Sequence, residues 1–117
     1  KVRICMKLIS AIIQPHKLDE VKSALISLGN IAITSTEVSG FGRQKGHLEI
    51  YRGTEYVIDF VQKIKLEIVC SDDHYETIIQ AISKTARSGK IGDGKIFVQN
   101  VTNAYRIRTG ESGNSAL

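Results

Sequence analysis

The chain has 117 residues, of which 42% are hydrophobic and 24% are charged, and its formal net charge at pH 7 is +4. This length suits one domain with a modest core, which is often stabilised by assembly with copies of itself, and the balance excludes a disordered or fibrous chain. The basic residues are interleaved with acids along the sequence, so this small positive charge does not by itself indicate a nucleic-acid-binding protein.

Neither the cysteines nor the histidines indicate a disulfide framework or a zinc site. Cys5 and Cys70 are the two cysteines, and neither belongs to a Cys-x-x-Cys pair, which favours a reducing compartment. The histidines are scattered without ligand spacing. The apolar run at 8–13 is too short to span a membrane or to act as a secretory signal. We therefore expect a soluble intracellular protein.

The first half of the chain has a β-α-β pattern. Residues 6–13 are apolar and β-branched up to Pro15, which predicts a strand. An apolar spacing of i, i+3, i+4 and i+7 then predicts a helix that ends at Gly29-Asn30. The members of that apolar face are Val21, Ala24, Leu25 and Leu28. Residues 32–41 predict a second strand.

The second half repeats the pattern. Polar and apolar residues alternate at 63–68, which predicts a strand with one buried face. Asp72 and Asp73 are predicted to be the N-cap and first-turn acid of a second helix, which Gly89 ends. The apolar face of this helix is predicted to be Tyr75, Ile78, Ile79, Ile82 and Ala86. A fourth strand is predicted at 95–98 and a short extended piece at 105–109, followed by a polar, mobile tail at 110–117.

This order predicts an α+β fold of the ferredoxin-like type, β-α-β-β-α-β. The four strands form an antiparallel sheet, both helices cover one face, and a long loop joins strands 2 and 3. We expect one domain over 6–117. Because Met6 is the only methionine, we interpret residues 1–5 as an extra leader. The uncovered sheet face favours packing into a dimer or trimer, and fold alone says nothing of function.

Residues 89–95, with the sequence Gly-Lys-Ile-Gly-Asp-Gly-Lys, suit a phosphate. The glycines let backbone N–H groups turn toward one point, and the lysines add positive charge. The spacing nearly matches the Walker A pattern. However, Ile96 replaces the hydroxyl residue that holds magnesium, and a helix enters the loop instead of leaving it. A P-loop NTPase is therefore not expected. The structural alternative is a glycine-rich turn with solvated lysines.

Arg106 and Arg108 form a second candidate phosphate site. In an extended chain these side chains point to the same side, where two guanidinium groups can clamp successive phosphates. The alternative is an exposed basic strand edge that discourages aggregation. The two segments lie close together in the chain and favour the same ligand, which strengthens the phosphate interpretation.

Residues 42–59 lack periodicity and carry several glycines among polar residues, which predicts a long functional loop. Its Gly-x-Gly run precedes no helix, so it is not a dinucleotide fingerprint. Tyr51 and Tyr56 either anchor the loop or are displayed for a partner. Elsewhere, Glu67 is predicted to pair with Lys63 or Lys65 across the strand face. No nucleophile–base pair or acid–base carboxylate pair stands out, so we expect no enzyme.

Several segments resemble the PII family of nitrogen-regulatory signal-transduction proteins. They are Gly-Phe-Gly-Arg-Gln-Lys-Gly-His at 40–47, Tyr-Arg-Gly-Thr-Glu-Tyr at 51–56, Thr-Ala-Arg-Ser-Gly-Lys-Ile-Gly-Asp-Gly-Lys-Ile-Phe-Val at 85–98, and Ile-Arg-Thr-Gly-Glu at 107–111. The match runs from Met6 to about Glu111. The resemblance implies a homotrimeric, non-enzymatic sensor of nitrogen, carbon and energy status that binds ATP or ADP and 2-oxoglutarate between subunits.

The resemblance also implies a nucleotide site. Residues 89–95 would cradle the phosphates, Arg106 and Arg108 would reach them, and Thr34 and Glu67 would lie close to the nucleotide. The full set of implied positions is Thr34, Gly42, Arg43, Gln44, Glu67, Gly92, Asp93, Gly94, Lys95, Arg106 and Arg108.

A site for 2-oxoglutarate is implied beside it. Gln44 would help to hold Mg²⁺ and 2-oxoglutarate, and Lys63 would pair with a carboxylate of that acid. Gln14 stands where relatives usually have Lys or Arg near the distal carboxylate, so a charge-assisted hydrogen bond is replaced by a weaker neutral one. The implied positions are Gln14, Gln44, Lys45, Gly46 and Lys63.

Residues 42–59 would then be the protruding T-loop that grips partner proteins. Tyr56 falls where many bacterial relatives are uridylylated, and Thr54 falls where some photosynthetic relatives have a phosphorylated serine. The implied partners, depending on lineage, are acetylglutamate kinase, an ammonium transporter, or nucleotidyltransferases. Contact with a membrane would come only through the transporter. The implied compartment is the cytoplasm, or the plastid stroma in a photosynthetic eukaryote.

Two other classes of protein compete with this interpretation. RNA-recognition motifs share the strand and helix order, but they need exposed aromatic rings on the central strands. Here the central strand offers Lys63, Lys65 and Glu67 on its polar face, so we expect no nucleic-acid partner. A small nucleotide-hydrolysing enzyme is the other alternative, which prolonged incubation with ATP and a product assay would reveal.

Overall fold

The computed structural model describes residues 5–40, 49–51, 54–56 and 60–117, with the backbone alone for 49–51 and 54–56. The strands are β1 (Met6–Ile13), β2 (Thr34–Gly40), β3 (Glu49–Tyr51), β4 (Thr54–Tyr56), β5 (Val61–Ser71) and β6 (Gly94–Val101), and the helices are α1 (Leu18–Ile26) and α2 (Tyr75–Ala86). A four-stranded antiparallel sheet has the order β2-β5-β1-β6. The predicted ferredoxin-like arrangement is confirmed.

The hydrophobic core lies between one face of this sheet and the two helices. Alternate residues of β1 and β5 are buried there, as the period of two in a strand requires. The buried cluster consists of Ile9, Ala11, Ile13, Ile64, Leu66, Ile68 and Cys70 from the sheet, Val21 and Leu25 from α1, and Ile78, Ile82 and Ala86 from α2. A fully buried aliphatic side chain contributes about 1.5–3 kcal/mol, so this layer stabilises the domain.

The opposite face of the sheet carries both polar and apolar residues. Directly opposed residues in an antiparallel pair share a face, so the register places Glu67 beside both Ser10 and Thr34. Phe97 lies opposite Ser10 on the same face, and 54% of its surface is exposed. The two edge strands, β2 and β6, are mostly exposed along their length. The face therefore offers partly apolar surface to another molecule.

Helix α2 begins later than the sequence predicts, and the predicted N-cap is wrong. His74 is the N-cap residue, and its side chain makes no capping hydrogen bond. The backbone N–H of Asp72 still continues the sheet, since it donates to the carbonyl of Cys5 at 3.1 Å. The carboxylate of Asp72 is meanwhile 2.8 Å from the ammonium of Lys7, which lies 5.5 Å from the ring centre of Tyr75. This ion pair is what raises the pKa of Lys7.

Two further predictions need correction. The stretch at 42–59, predicted to be loop throughout, contains an antiparallel ladder in which β3 pairs with β4. Both short segments hold tyrosine or β-branched residues, which favour strands. Leu28, predicted on the apolar helix face, lies beyond the end of α1 and is 43% exposed.

Candidate functional site

The glycine-rich segment at 88–94 is organised by one carboxylate. The side chain of Asp93 accepts hydrogen bonds from the backbone N–H of Ser88 at 2.8 Å and of Gly89 at 2.9 Å, and from the Ser88 hydroxyl. The Ser88 hydroxyl contributes most to holding the pKa of Asp93 below its ordinary value, followed by the Ser88 N–H. The carboxylate is therefore ionised at neutral pH and closes the loop just after α2.

Gly94, at the start of β6, can only be glycine. Its φ is +107°, and a Cβ atom built there would lie 1.7 Å from the carbonyl oxygen of Ile12. A side chain would thus collide with the backbone of β1, which pairs with β6 at this point. The close approach of β1 and β6 is therefore the structural reason why a glycine is needed at position 94.

Two predicted effector-binding residues converge on this loop. Lys63 on β5 donates its ammonium to the carbonyl oxygen of Gly92. Gln14 donates its amide to the same oxygen at 3.2 Å and to a carboxylate oxygen of Asp93 at 3.4 Å. Lys63 and Gln14 come from distant parts of the chain, and both are partly buried. The ion pair predicted between Glu67 and Lys63 or Lys65 is absent from the described residues, and the Lys63 ammonium faces the loop instead.

A second group of predicted residues lines a separate cavity of about 1060 Å³. Thr34 and Glu67 lie directly opposite each other in the register of β2 and β5 and both line it, together with Arg106. Apolar residues form much of the remaining wall; among them are Leu8, Ile31, Val69 and Ile78. The cavity therefore combines an apolar wall with one anion and one cation.

The prediction that Arg106 and Arg108 share one extended strand is wrong. Tyr105 pairs with Ser112 in an isolated bridge, and residues 107–109 form a turn. The backbone N–H of Gly110 closes this turn by donating to the carbonyl of Arg106 at 2.8 Å. A bend between the two arginines removes the alternation on which the clamp argument rested. Arg106 lines the larger cavity, and Arg108 is exposed on the turn.

Lys95 belongs to a smaller cavity of about 300 Å³ between α2 and the sheet. Asp93 and Gly94 also line it. The predicted phosphate-binding residues therefore fall into two groups in one chain, with Lys95 in the smaller cavity and Arg106 in the larger. Lys63, which contacts the glycine-rich loop, and Glu67, which lines the larger cavity, are on the same face of β5. They are about 13 Å apart along the strand.

The remaining predicted positions have no described side chains. Those that lie outside the described residues are Gly42, Arg43, Gln44, Lys45 and Gly46. Thr54 and Tyr56 lie on β4, where the backbone alone is described. Their predicted roles, including the magnesium contact of Gln44, stay predictions. In the described ranges, no group of three or more His, Cys, Asp or Glu side chains could hold a metal ion.

Sequence reasoning missed two parts of the site. It did not find Ser88 as the partner of Asp93, although a hydroxyl five residues before an aspartate in a glycine-rich turn is a usable signal. It also assigned the tail at 110–117 no role. In the structure Asn114, Ala116 and Leu117 line the larger cavity beside Arg106.

Comparison with known proteins decides the family. The family profile described as "Nitrogen regulatory protein P-II" matches residues 6–111. The chain is 61% identical to the Nitrogen regulatory protein P-II of Bradyrhizobium diazoefficiens and 59% identical to that of Rhizobium meliloti. It is 56% identical to Nitrogen regulatory protein P-II 1 of Escherichia coli strain K12. Each match spans 112 residues, which is 96% of this chain and 100% of the relative.

The chain belongs to the P-II family of nitrogen regulatory proteins. P-II proteins are regulators of nitrogen metabolism and not enzymes, so the predicted family and the predicted absence of enzymatic activity are both confirmed. Neither the RNA-recognition module nor the nucleotide-hydrolysing enzyme agrees with this P-II assignment. Within the part of the chain that the structure describes, no helix is long and apolar enough to cross a bilayer.

Proposed function

We propose that this P-II protein is a trimeric sensor that binds ATP or ADP together with 2-oxoglutarate between its subunits. It would regulate nitrogen-metabolism proteins through residues 42–59. The observation that carries the proposal is the convergence of Lys63 and Gln14 on the Gly92 carbonyl. Two side-chain donors from distant segments meet there beside a loop that also suits phosphate, as a site for two linked effectors requires.

The nucleotide part of the proposal is supported by the two groups of residues. The larger cavity, about 1060 Å³, is comparable to the clefts of about 300–1,000 Å³ that bind small ligands. Its apolar wall suits a base, and Arg106 suits a phosphate. The glycine-rich loop and Lys95 lie at the smaller cavity. We propose that one nucleotide contacts both groups, each from a different subunit.

The 2-oxoglutarate part is supported by the chemistry of the donors. Lys63 and Gln14 now share a neutral carbonyl oxygen of Gly92. A carboxylate is a stronger acceptor for an ammonium group than a carbonyl is, because the bond is charge-assisted at both ends. A dicarboxylate can therefore replace Gly92 as their acceptor. The Gln44 amide oxygen and the nucleotide phosphates would supply oxygen ligands of the kind that Mg²⁺ prefers.

The uncovered sheet face supports the proposed assembly. We expect a trimer in solution, because Phe97 and the two edge strands are exposed in one chain and a domain of this size often gains stability by assembly. Light scattering at micromolar concentration should give three times the mass of the chain. A monomer mass would contradict this part of the proposal.

The targets would be engaged through residues 42–59, with Tyr56 as a site of uridylylation and Thr54 as a site of phosphorylation. The candidate targets are an ammonium transporter, acetylglutamate kinase and nucleotidyltransferases. A pull-down from the source extract, run once with ADP and once with ATP plus 2-oxoglutarate, should recover different amounts of the target. Equal recovery in both conditions would mean that the effectors do not control the interaction.

The function itself is tested by the linkage between its effectors. We expect 2-oxoglutarate to bind detectably only with Mg-ATP present, since Lys63 and Gln14 alone are few partners for a dicarboxylate. Coupling of this kind typically changes affinity by about 5- to 150-fold, and it is reciprocal. Calorimetric titration of 2-oxoglutarate with and without Mg-ATP measures it. Equal binding without nucleotide would contradict the coupled site.

The same titration tests the role of Gln14. The substitution Gln14→Lys should tighten 2-oxoglutarate binding by roughly fivefold, because it turns a neutral hydrogen bond into a charge-assisted one. Gln80→Lys is the matched control, since Gln80 is exposed on α2 and acquires the same charge. If both variants respond equally, the gain is long-range attraction and not a contact at position 14.

A further inference from the structure

Residues 113–117 fold back against Arg106. They begin with a 3₁₀ helix, Gly113–Ala116. Two acceptors hold its start, because the backbone N–H of Gly113 donates to the Ala104 carbonyl at 3.0 Å and to the Asn103 side chain at 3.1 Å. The segment is thus fastened at its start and reaches the cavity at its end, where Leu117 is part of the wall.

The Nε–Nη2 edge of the Arg106 guanidinium already faces this part of the chain. Its Nη2 donates to the main-chain oxygen of Leu117 at 2.9 Å. Its Nε lies 3.8 Å from the carboxylate of Glu111. Thr109 fixes that carboxylate by donating its hydroxyl at 2.8 Å. Arg106 therefore faces the main-chain oxygen of Leu117 and the Glu111 carboxylate, both from its own chain.

We propose that residues 113–117, with Glu111, compete with an anionic phosphate group of the nucleotide for Arg106. The inference rests on the proposed nucleotide binding and adds a control on it. A phosphate bound bidentately on the Nε–Nη2 edge of this guanidinium needs the N–H group that the main-chain oxygen of Leu117 takes. Glu111 also repels a phosphate placed beside Arg106. The tail must leave this edge before a phosphate binds to it, so a more stable tail lowers nucleotide affinity.

The tail can be removed without touching the core. Every residue of the buried cluster lies between positions 9 and 86, and residues 113–117 hydrogen-bond to the 103–106 segment. A chain that ends at Ser112 keeps Arg106, Glu111 and the cavity wall from β1, β2, β5 and α2. Full-length Glu111→Gln tests the same competition without a deletion, since its amide oxygen can still accept from Thr109.

The experiment titrates ATP into the full chain, the chain ending at Ser112, and full-length Glu111→Gln. Asp19→Asn, on the exposed surface of α1, is the control for loss of one negative charge. One net hydrogen bond corresponds to roughly three- to tenfold in an equilibrium constant. We expect the shortened chain and Glu111→Gln to bind ATP more tightly by about that factor, and the control to match the full chain.

Two further readouts separate competition from a general change in charge or order. With Arg106→Ala added, the gain from shortening the chain should disappear. In the full chain, ATP should speed hydrogen exchange at the backbone amides of Gly113 and Leu117, since both amides are hydrogen-bonded now.

The inference is overturned if the shortened chain binds ATP as the full chain does or more weakly, because the tail is then neutral or part of the binding wall. It is also overturned if the gain survives Arg106→Ala. If no version of the chain binds ATP or ADP, the proposed function fails with it. ATP binding that shortening leaves unchanged removes the inference alone.

Discussion

The substitution Arg106→Ala should weaken ATP binding by about tenfold or more, since a hydrogen bond to a charged group contributes roughly 1.5–3 kcal/mol. Arg106 is the cation in a wall that also holds Thr34 and Glu67. If the tail competes for this guanidinium, the same substitution should cost more affinity in a chain ending at Ser112. In that chain Arg106 can bind the phosphate without first breaking its hydrogen bond to Leu117.

Calorimetry with ATP measures both effects. The P-II resemblance also implies a phosphate contact for Arg108, so Arg108→Ala should weaken binding as well. Lys22→Ala is the matched control, because Lys22 is an exposed cation on α1. If both arginine variants bind ATP as the wild type does, the nucleotide lies elsewhere. A loss in Lys22→Ala as large as in Arg106→Ala would instead mean that overall charge attracts the ligand.

The fold was predictable from the sequence because its signals are local and agree with one another. Alternation at 63–68 marks the central strand β5, and apolar spacing marks both helices. The failures come from tertiary contacts that override local propensity. Asp72 has the residue type of an N-cap, yet it is still paired with β1 and its carboxylate is taken by Lys7. No local pattern reports that a lysine more than sixty residues earlier lies opposite.

The candidate site was predictable only in part. Lys63 and Gln14 entered through the resemblance to a family, and nothing in their own neighbourhoods predicts that they meet at Gly92. The extended clamp of Arg106 and Arg108 failed because Thr109 and Gly110 turn the chain back, so that Tyr105 pairs with Ser112. The tail looked featureless because small polar residues carry no periodicity, although its backbone makes specific hydrogen bonds.

The substitution Gly94→Ala should destabilise the protein by on the order of 3 kcal/mol or more, since it combines a strained backbone with a collision. The φ of +107° disfavours any residue with a Cβ atom, and that atom would lie 1.7 Å from the Ile12 carbonyl oxygen. This oxygen belongs to the backbone of a sheet strand, so it cannot rotate away from the Cβ atom. The pairing of β6 with β1 would have to open next to the loop that Asp93 holds.

Gly89→Ala is the control that isolates the collision. Gly89 has a φ of +86°, but nothing lies within 4 Å of the position a Cβ atom would take. It should therefore cost only the backbone term, about 1–2 kcal/mol. Denaturant unfolding at one fixed protein concentration compares the two variants, since the stability of an oligomer depends on concentration. If Gly94→Ala is no less stable than Gly89→Ala, the contact with Ile12 does not constrain this position, and the glycine there serves backbone conformation alone.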